Sequence, residues 1–315
     1  MGPGGQRSGC AGTLGVVLLV VVAAVGLAGA GCIMALHQIG DDLRPDDPCI
    51  DSPRTIFIAV REGDRATMAE LLQEGISPNF EDDGETPLSC AARMRQVEIV
   101  ELLLDRGATP TANALREAVG TSGGALGVST SRDLPDDRRR EQVTALLLDR
   151  GAKPDGGIEG PSPLLYAAWS GQAGLVDLLL DHGADPDHGG RLDSFIVTIA
   201  QVDPFSSTTL PRALLPDPKG ATVANMPPLV GAAWEGHVDI ATRLLDGGAD
   251  PNLLSDQAFS PILAAATKGD RPMVELLLAH GADHDPQVRP GVPSPAEAAE
   301  GTGHPDVANL LEPAT

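Results

Sequence analysis

The chain of 315 residues is predicted to be all-α: a solenoid of stacked helix–turn–helix units behind one N-terminal apolar helix. The first observation is a phrase that returns with a period of about 33 residues, as TPLSCAA, SPLLYAA and SPILAAA at 86–92, 162–168 and 260–266. The second is a leucine-rich phrase that follows each copy, as LLLDRGA, LLLDHGA and LLLAHGA at 102–108, 178–184 and 276–282. A period of this length indicates a stacked helical array rather than one globular core.

Each phrase has the start and stop signals of a short helix. Thr86 and its serine counterparts are expected to cap the first helix by accepting hydrogen bonds from amides that have no partner inside it. Proline follows at the first helical position, where its fixed φ favours the helix. The alanine pair lets neighbouring helices approach closely, and the leucine run belongs to the second helix. The glycine after the leucines suits a left-handed C-cap.

These motifs resemble the ankyrin repeat family, which has a turn, Thr-Pro-Leu-x-x-Ala-Ala, Gly-His before the second helix, and Leu-Leu-x-x-Gly-Ala-Asp. The resemblance covers about residues 54–312 and implies an ankyrin-type solenoid that binds another protein. About eight repeats are predicted, beginning near Arg54, Thr86, Thr111, Ser162, Asp193, Pro227, Ser260 and Ser294.

Two units depart from the regular spacing. Gly107 and Gly151 are 44 residues apart, which predicts an inserted surface loop at 120–139. Gly183 and Gly248 are 65 residues apart, and we expect a degenerate repeat at about 193–225, so that the two tryptophans lie two units apart. The alternative is a non-repeat insertion containing a strand at 195–202.

The N-terminal region, residues 1–36, contains a run from 11 to 36 without any charged residue. This run is longer than the roughly 20 residues that cross a bilayer. We therefore predict a signal anchor with its N-terminus inside and the repeats extracytoplasmic, in keeping with Arg7 before the run. The alternatives are a cleaved secretory signal, a lipoprotein signal ending at Cys32, and a buried helix. Residues 37–53 form an acidic spacer that contains proline.

Charge and composition narrow the function. A net charge of −22 argues against nucleic acid as a binding partner, because contact with phosphates needs a basic stripe on the protein. The same charge favours a partner with a basic surface. High glycine, alanine and aspartate with little lysine indicates a bacterial source. No set of nucleophile and base and no phosphate-binding loop stands out, so we predict no enzyme, cofactor, metal site or small-molecule substrate.

The four cysteines show no CxxC spacing, so a disulfide scaffold or a zinc site is not expected. Cys90 is predicted on a buried helix face. Cys49 is the cysteine expected to be open to reagents, and no role is assigned to it.

The resemblance also implies where a partner binds: at the turn tips and the exposed end of each first helix. The two positions after each alanine pair are Arg93, Met94, Trp169, Ser170, Trp234, Glu235, Thr267 and Lys268. His182 and His280, before the turn glycines, are candidates for the groove rim. Both tryptophans share one repeat position, and tryptophan is enriched among interface hot spots. The alternative is that each indole simply covers alanines of the next helix.

The sequence therefore predicts a membrane-tethered protein–protein scaffold. A second hypothesis is an immunity or inhibitor-type protein, or an accessory subunit, that blocks or holds an enzyme. A third is a structural spacer without a specific partner.

Overall fold

The computed structural model describes residues 49, 54–82, 84–120, 135–156, 161–192, 223–255, 259–286 and 292–312, all within one compact unit, Pro48–Thr315. The predicted apolar segment 11–36 lies outside the described residues. Among the helices that the structure describes, none is long and apolar enough to span a membrane.

The described part of the chain contains fourteen helices in seven consecutive pairs. The first helices of the pairs are α1 (Thr55–Glu62), α3 (Pro87–Arg93), α5 (Ala112–Val119), α7 (Pro163–Trp169), α9 (Pro228–Glu235), α11 (Pro261–Lys268) and α13 (Pro295–Gly301). The second helices are α2 (Arg65–Gln73), α4 (Val97–Asp105), α6 (Pro135–Asp149), α8 (Ala173–Asp181), α10 (Val238–Asp246), α12 (Arg271–Ala279) and α14 (Pro305–Leu311).

The helices pack in two layers, because each first helix contacts the first helix of the next pair and each second helix from α2 to α10 contacts the next second helix. Alanine makes this close stacking of first helices feasible: Ala91, Ala92, Ala167 and Ala168 have no exposed surface. The leucines of the second helices fill the space between the layers, as Leu103 does. Each unit thus buries its apolar surface on its neighbours, as a solenoid does.

The predicted helix signals are confirmed. The Thr86 hydroxyl accepts from the amide of Ser89 at 3.1 Å, and the Ser89 hydroxyl in turn accepts from the amide of Thr86 at 2.9 Å. At the starts of α7 and α11, the hydroxyls of Ser162 and Ser260 likewise accept from the amides of Leu165 and Leu263. These bonds satisfy amides that the first helical turn leaves without a partner.

Seven described helix pairs correspond to seven of the about eight predicted repeats, and the degenerate repeat at about 193–225 stays a prediction. Strands β1 (Gly190–Leu192) and β2 (Val223–Met226) pair antiparallel, and residues 193–222 between them lie outside the described residues. Helix α7 packs directly on α9, and α8 on α10. The two tryptophans therefore stand on adjacent layers rather than two units apart.

The predicted loop at 120–139 ends earlier than expected. Helix α6 begins at Pro135, so the charged residues 135–139 belong to a helix of 15 residues. Proline suits this first helical position. Residues 121–134 lie outside the described residues.

Cys49 and Cys90 form a disulfide, which corrects the expectation that Cys49 is open to reagents. Their Cα atoms are 5.5 Å apart, within the range that a disulfide spans. Both residues are buried, with 1% and 0% of their surface exposed. Cys90 does lie on the buried face of α3, as predicted. The bond joins positions 41 residues apart, a pairing that sequence spacing alone does not reveal.

Candidate functional site

The two tryptophans lie at the ends of neighbouring first helices, and each leans on the following layer. Trp169 ends α7, and its Cε3 lies 3.3 Å from the position that a Cβ on Gly231 of α9 would take. Because Gly231 has no side chain, the indole can rest against the backbone of α9. Trp169 is half-buried as a result.

Trp234, at the same position of α9, packs on two residues of the next unit. Its ring meets that of Phe259 edge to face, with centroids 5.5 Å apart and an interplanar angle of 60°. The Lys268 ammonium lies 4.6 Å from the centroid of the Trp234 ring, in cation–π geometry. We call Trp169, Trp234, Phe259 and Lys268 the tryptophan face. Its indoles each pack on the next unit and are partly open to solvent.

The other predicted first-helix positions divide into exposed and internally bonded residues. Glu235 and Lys268 are exposed. Thr267 is 4% exposed and donates its hydroxyl to the Leu263 carbonyl at 2.7 Å, so it does not line an open surface, contrary to the prediction. Ser170 is half-buried and donates to the Tyr166 carbonyl at 2.6 Å.

Arg93 and Met94 are also drawn inward at the end of α3. Met94 is half-buried against the apolar core. Arg93 places its Nε 3.8 Å from a carboxylate oxygen of Glu117, whose side chain is 3% exposed. Arg93 thus balances a buried charge inside the stack.

His182 and His280 belong to the second-helix layer, so the structure does not bring them together with the tryptophans. Each ring bonds through Nδ1 to the carbonyl four residues earlier in its helix, at 2.8 and 2.9 Å. Nε2 of His182 lies 3.2 Å from Asp149, and Nε2 of His280 lies 4.0 Å from Asp246. The Leu178 carbonyl and the Asp149 carboxylate raise the pKa of His182. These histidines link successive second helices.

Phe259 completes the tryptophan face and is not among the residues predicted from the sequence. The available signal was an aromatic residue directly before the SPILAAA phrase, in a chain with only five phenylalanines. Its contact with Trp234 depends on how the turn between α10 and α11 folds, which the repeat pattern does not specify.

One group of described side chains has the composition of a metal site. One ligand atom each of Cys49, Glu85 and Cys90 lies within 4.8 Å of the others. The two sulfurs are joined as a disulfide and so lack the thiolate that a metal needs. The Glu85 carboxylate already accepts from the Ser89 hydroxyl at 2.6 Å. The group is therefore a structural cross-link.

The stacked helix pairs and the site on their first-helix ends define a repeat protein of the interaction-module class. The family model described as "Ankyrin repeats (3 copies)" matches residues 21–114 and 224–313, and that described as "Ankyrin repeat" matches 159–191. The chain belongs to the ankyrin repeat family. Ankyrin repeats are generally protein–protein interaction modules, and proteins of this family are typically non-enzymatic scaffolds.

Among known proteins, the chain is 35% identical over 125 residues to an ankyrin repeat, SAM and basic leucine zipper domain-containing protein 1 from Ornithorhynchus anatinus. That match covers 39% of this chain and 25% of the relative. An ankyrin repeat protein of Fowlpox virus (strain NVSL) is 25% identical over 229 residues, 71% of this chain and 35% of the viral protein. The chain thus spans about a quarter to a third of these relatives, which are eukaryotic and viral and give no support to a bacterial source.

A solved structure shows the same fold. The crystal structure of the human ASB11 ankyrin repeat domain matches with a TM-score of 0.56 and 18% identity. The match covers 83% of this chain and 99% of that domain.

Proposed function

We propose that this protein is a non-enzymatic scaffold, tethered to a membrane through residues 11–36, that binds another protein with its tryptophan face. The observation that carries the proposal is the adjacency of the two indoles. Trp169 and Trp234 occupy the same position of two layers that contact each other directly. Neighbouring helix axes are about 8–10 Å apart, so one partner segment can contact both rings.

The packing of the two indoles favours binding rather than opposing it. Each ring is already fixed by contacts within the array, Trp169 by α9 and Trp234 by Phe259 and Lys268. A rigid aromatic side chain loses little conformational entropy when a partner covers its remaining surface. The exposed carboxylate of Glu235 beside Trp234, in a chain of net charge −22, favours a partner with a basic surface.

The proposed extracytoplasmic location is supported by the disulfide. Disulfides persist in oxidising compartments and are rare in the cytosol, where thiols are kept reduced. The Cys49–Cys90 bond agrees with export of the repeats by the apolar run that precedes them.

The test is a quantitative pull-down with the full chain from detergent-solubilised membranes, comparing wild type with a Trp169→Ala/Trp234→Ala variant. We expect a partner enriched by wild type to fall at least about tenfold with the variant, since loss of a hot spot costs about 2 kcal/mol or more. The control is Phe80→Ala, which removes a ring that packs on Phe57 in the first unit, far along the array from the tryptophans.

Binding between the purified partner and the array must reproduce the same order of variants. Equal enrichment by all three forms refutes the tryptophan face as the recognition site. A loss of helical circular dichroism in the tryptophan variant assigns the indoles to packing.

A further inference from the structure

The disulfide at the start of the array has a carboxylate beside it. One ligand atom each of Cys49, Glu85 and Cys90 lies within 4.8 Å of the other two. Both cysteines are buried, whereas Glu85 is half-buried and connects the group to the surface. A disulfide makes no use of a neighbouring carboxylate, so cross-linking alone does not explain this composition.

The Glu85 carboxylate is held in a fixed orientation by two donors. The Ser89 hydroxyl donates to its Oε2 at 2.6 Å, and the side-chain nitrogen of Asn113 lies 3.4 Å from the same oxygen. Ser89 is 1% exposed and belongs to the cap of α3, while Asn113 reaches over from α5 of the third unit. Carboxylates that bind metals are oriented by hydrogen bonds of this kind.

The size of the group suits a tetrahedral cation. Zn²⁺ binds cysteine sulfur at about 2.3 Å and carboxylate oxygen at about 2.1 Å, so its ligand atoms lie about 3.5–4 Å from one another. The three atoms of this group fall within 4.8 Å of one another before any cation is present. Once the sulfur bridge opens, rotation about the Cα–Cβ bonds separates the sulfurs, and Cα atoms 5.5 Å apart permit both arrangements.

Reduction converts the cross-link into a set of ligands. A dithiol reductant supplies two electrons and two protons to the S–S bond, which becomes the thiols of Cys49 and Cys90, while the reductant closes to its own disulfide. Zn²⁺ then displaces the two thiol protons to solvent, because the thiolate is the form that binds a metal. Two thiolates beside a carboxylate repel one another in a buried place, and a divalent cation removes that repulsion.

We propose that Cys49, Glu85 and Cys90 form a zinc site in the reduced chain, with water as the fourth ligand on the exposed side of Glu85. Thiolates select zinc over magnesium and calcium, which prefer oxygen. The metal joins the first unit to the second in place of the disulfide, so this end of the array is held in both redox states. The site lies in other units than the tryptophan face and does not rest on the proposed function.

The experiment adds zinc to the full chain in detergent after reduction with a phosphine, which opens the disulfide and offers no thiol to the metal. Zinc binding is measured by competition with a chromophoric chelator. We expect the reduced chain to bind one more equivalent of zinc than the oxidised chain. Cobalt added in place of zinc should give the absorption of thiolate-to-metal charge transfer in the reduced chain alone.

Glu85→Gln tests the third ligand, because the amide keeps the size of the side chain and an acceptor for Ser89 but lacks the negative charge. We expect this variant to raise the zinc Kd of the reduced chain at least tenfold, since even residues that only support a metal ligand contribute about 10–100-fold. The matched control is Glu81→Gln, which removes the same charge from an exposed position of the same turn and leaves the Kd unchanged.

Alkylation of the cysteines, followed by mass spectrometry, locates the metal without any variant. In the reduced chain, zinc is expected to slow the alkylation of Cys49 and Cys90 at least tenfold. Cys10 and Cys32 serve as internal controls and keep their rates.

Three results would overturn the proposal. Equal zinc uptake by the oxidised and reduced chains assigns the metal to surface carboxylates. An equal Kd in Glu85→Gln and Glu81→Gln removes Glu85 from the site. Alkylation of Cys49 and Cys90 that zinc does not slow shows that their thiolates do not bind it.

Discussion

At the scale of single residues, adjacent units are joined by one repeated contact in their turns. Asn79 accepts from the amide of Thr109 at 2.7 Å and donates to the Gly107 carbonyl at 3.0 Å. Asn252 makes the same two bonds to Asp283 and Gly281. Where this position is aspartate, as at Asp187, the carboxylate still accepts a hydrogen bond from the amide of Asp250 in the next unit. An ionised carboxylate cannot donate, so the second bond, to the carbonyl, is missing.

Asp187→Asn is therefore expected to stabilise the array by about 1 kcal/mol at pH 7, through a new bond from its amide to the Gly248 carbonyl. The variant also removes an unfavourable charge. Burial raises the pKa of the Asp187 carboxyl, and the negative charges of Asp185 and Asp250 raise it further. The hydrogen bond from the Asp250 amide lowers this pKa but does not cancel the rise. A raised folded-state pKa means that the ionised form costs stability above that pKa. This part of the gain disappears as the pH falls below the unfolded value of about 3.9.

The measurement is chemical unfolding of both forms at pH 7 and near pH 3. The reverse change, Asn252→Asp, serves as the matched comparison and should destabilise at pH 7. If Asp187→Asn lowers stability at pH 7, the new bond does not form.

At the scale of elements, the glycine turn within a helix pair and the glycine turn after it differ in how tightly the next unit packs on them. Gly269 ends α11 with φ 68°, and a Cβ there would collide with the His304 ring of the following unit. Gly281 follows α12 with φ 87°, and a Cβ added there would meet no other atom. Both positions require glycine for their backbone, and Gly269 requires it for packing as well.

Gly269→Ala is expected to cost about 3 kcal/mol, the sum of left-handed strain and displaced packing, whereas Gly281→Ala costs about 1 kcal/mol from strain alone. Urea unfolding of the two variants checks this difference. The double variant Gly269→Ala/His304→Ala removes the collision and should recover part of the loss. Equal costs for both single variants would show that packing against His304 contributes nothing.

The elements also show what the sequence could predict. Thr86, Ser162 and Ser260 mark helix starts because caps act through local hydrogen bonds, and these starts were predicted correctly. The spacing of Gly183 and Gly248 predicts a degenerate repeat at about 193–225, but spacing alone cannot show that α7 and α9 touch. Likewise, the two tryptophans share a repeat position in the sequence, yet Phe259 meets Trp234 only through the fold of the turn before α11.

At the scale of the whole molecule, the disulfide holds the first unit of the array to the second. A cross-link that closes a loop of about 40 residues stabilises the folded state by about 2–4 kcal/mol, because it limits the unfolded chain. In a solenoid each unit is supported by its neighbours, so this stabilisation acts mainly at the N-terminal end.

Reduction of the full chain is therefore expected to speed amide hydrogen exchange in α1 and α2 by tenfold or more, while α12 to α14 keep their rates. Exchange measured by mass spectrometry with and without reductant distinguishes these ends. The Cys49→Ala/Cys90→Ala variant should exchange like the reduced protein and show no response to reductant. Uniform acceleration along the array would contradict a local role for the bond.

The same bond sets the path of mechanical force through the molecule. A pull on the backbone before Cys49 crosses the sulfur bridge to Cys90 in α3 and bypasses the segment between them, which contains α1 and α2. With the bond intact, the first unit carries no tension, and the load at this end of the stack enters at the second unit. With the bond broken, the load enters at the end of the stack, where units can peel away one at a time.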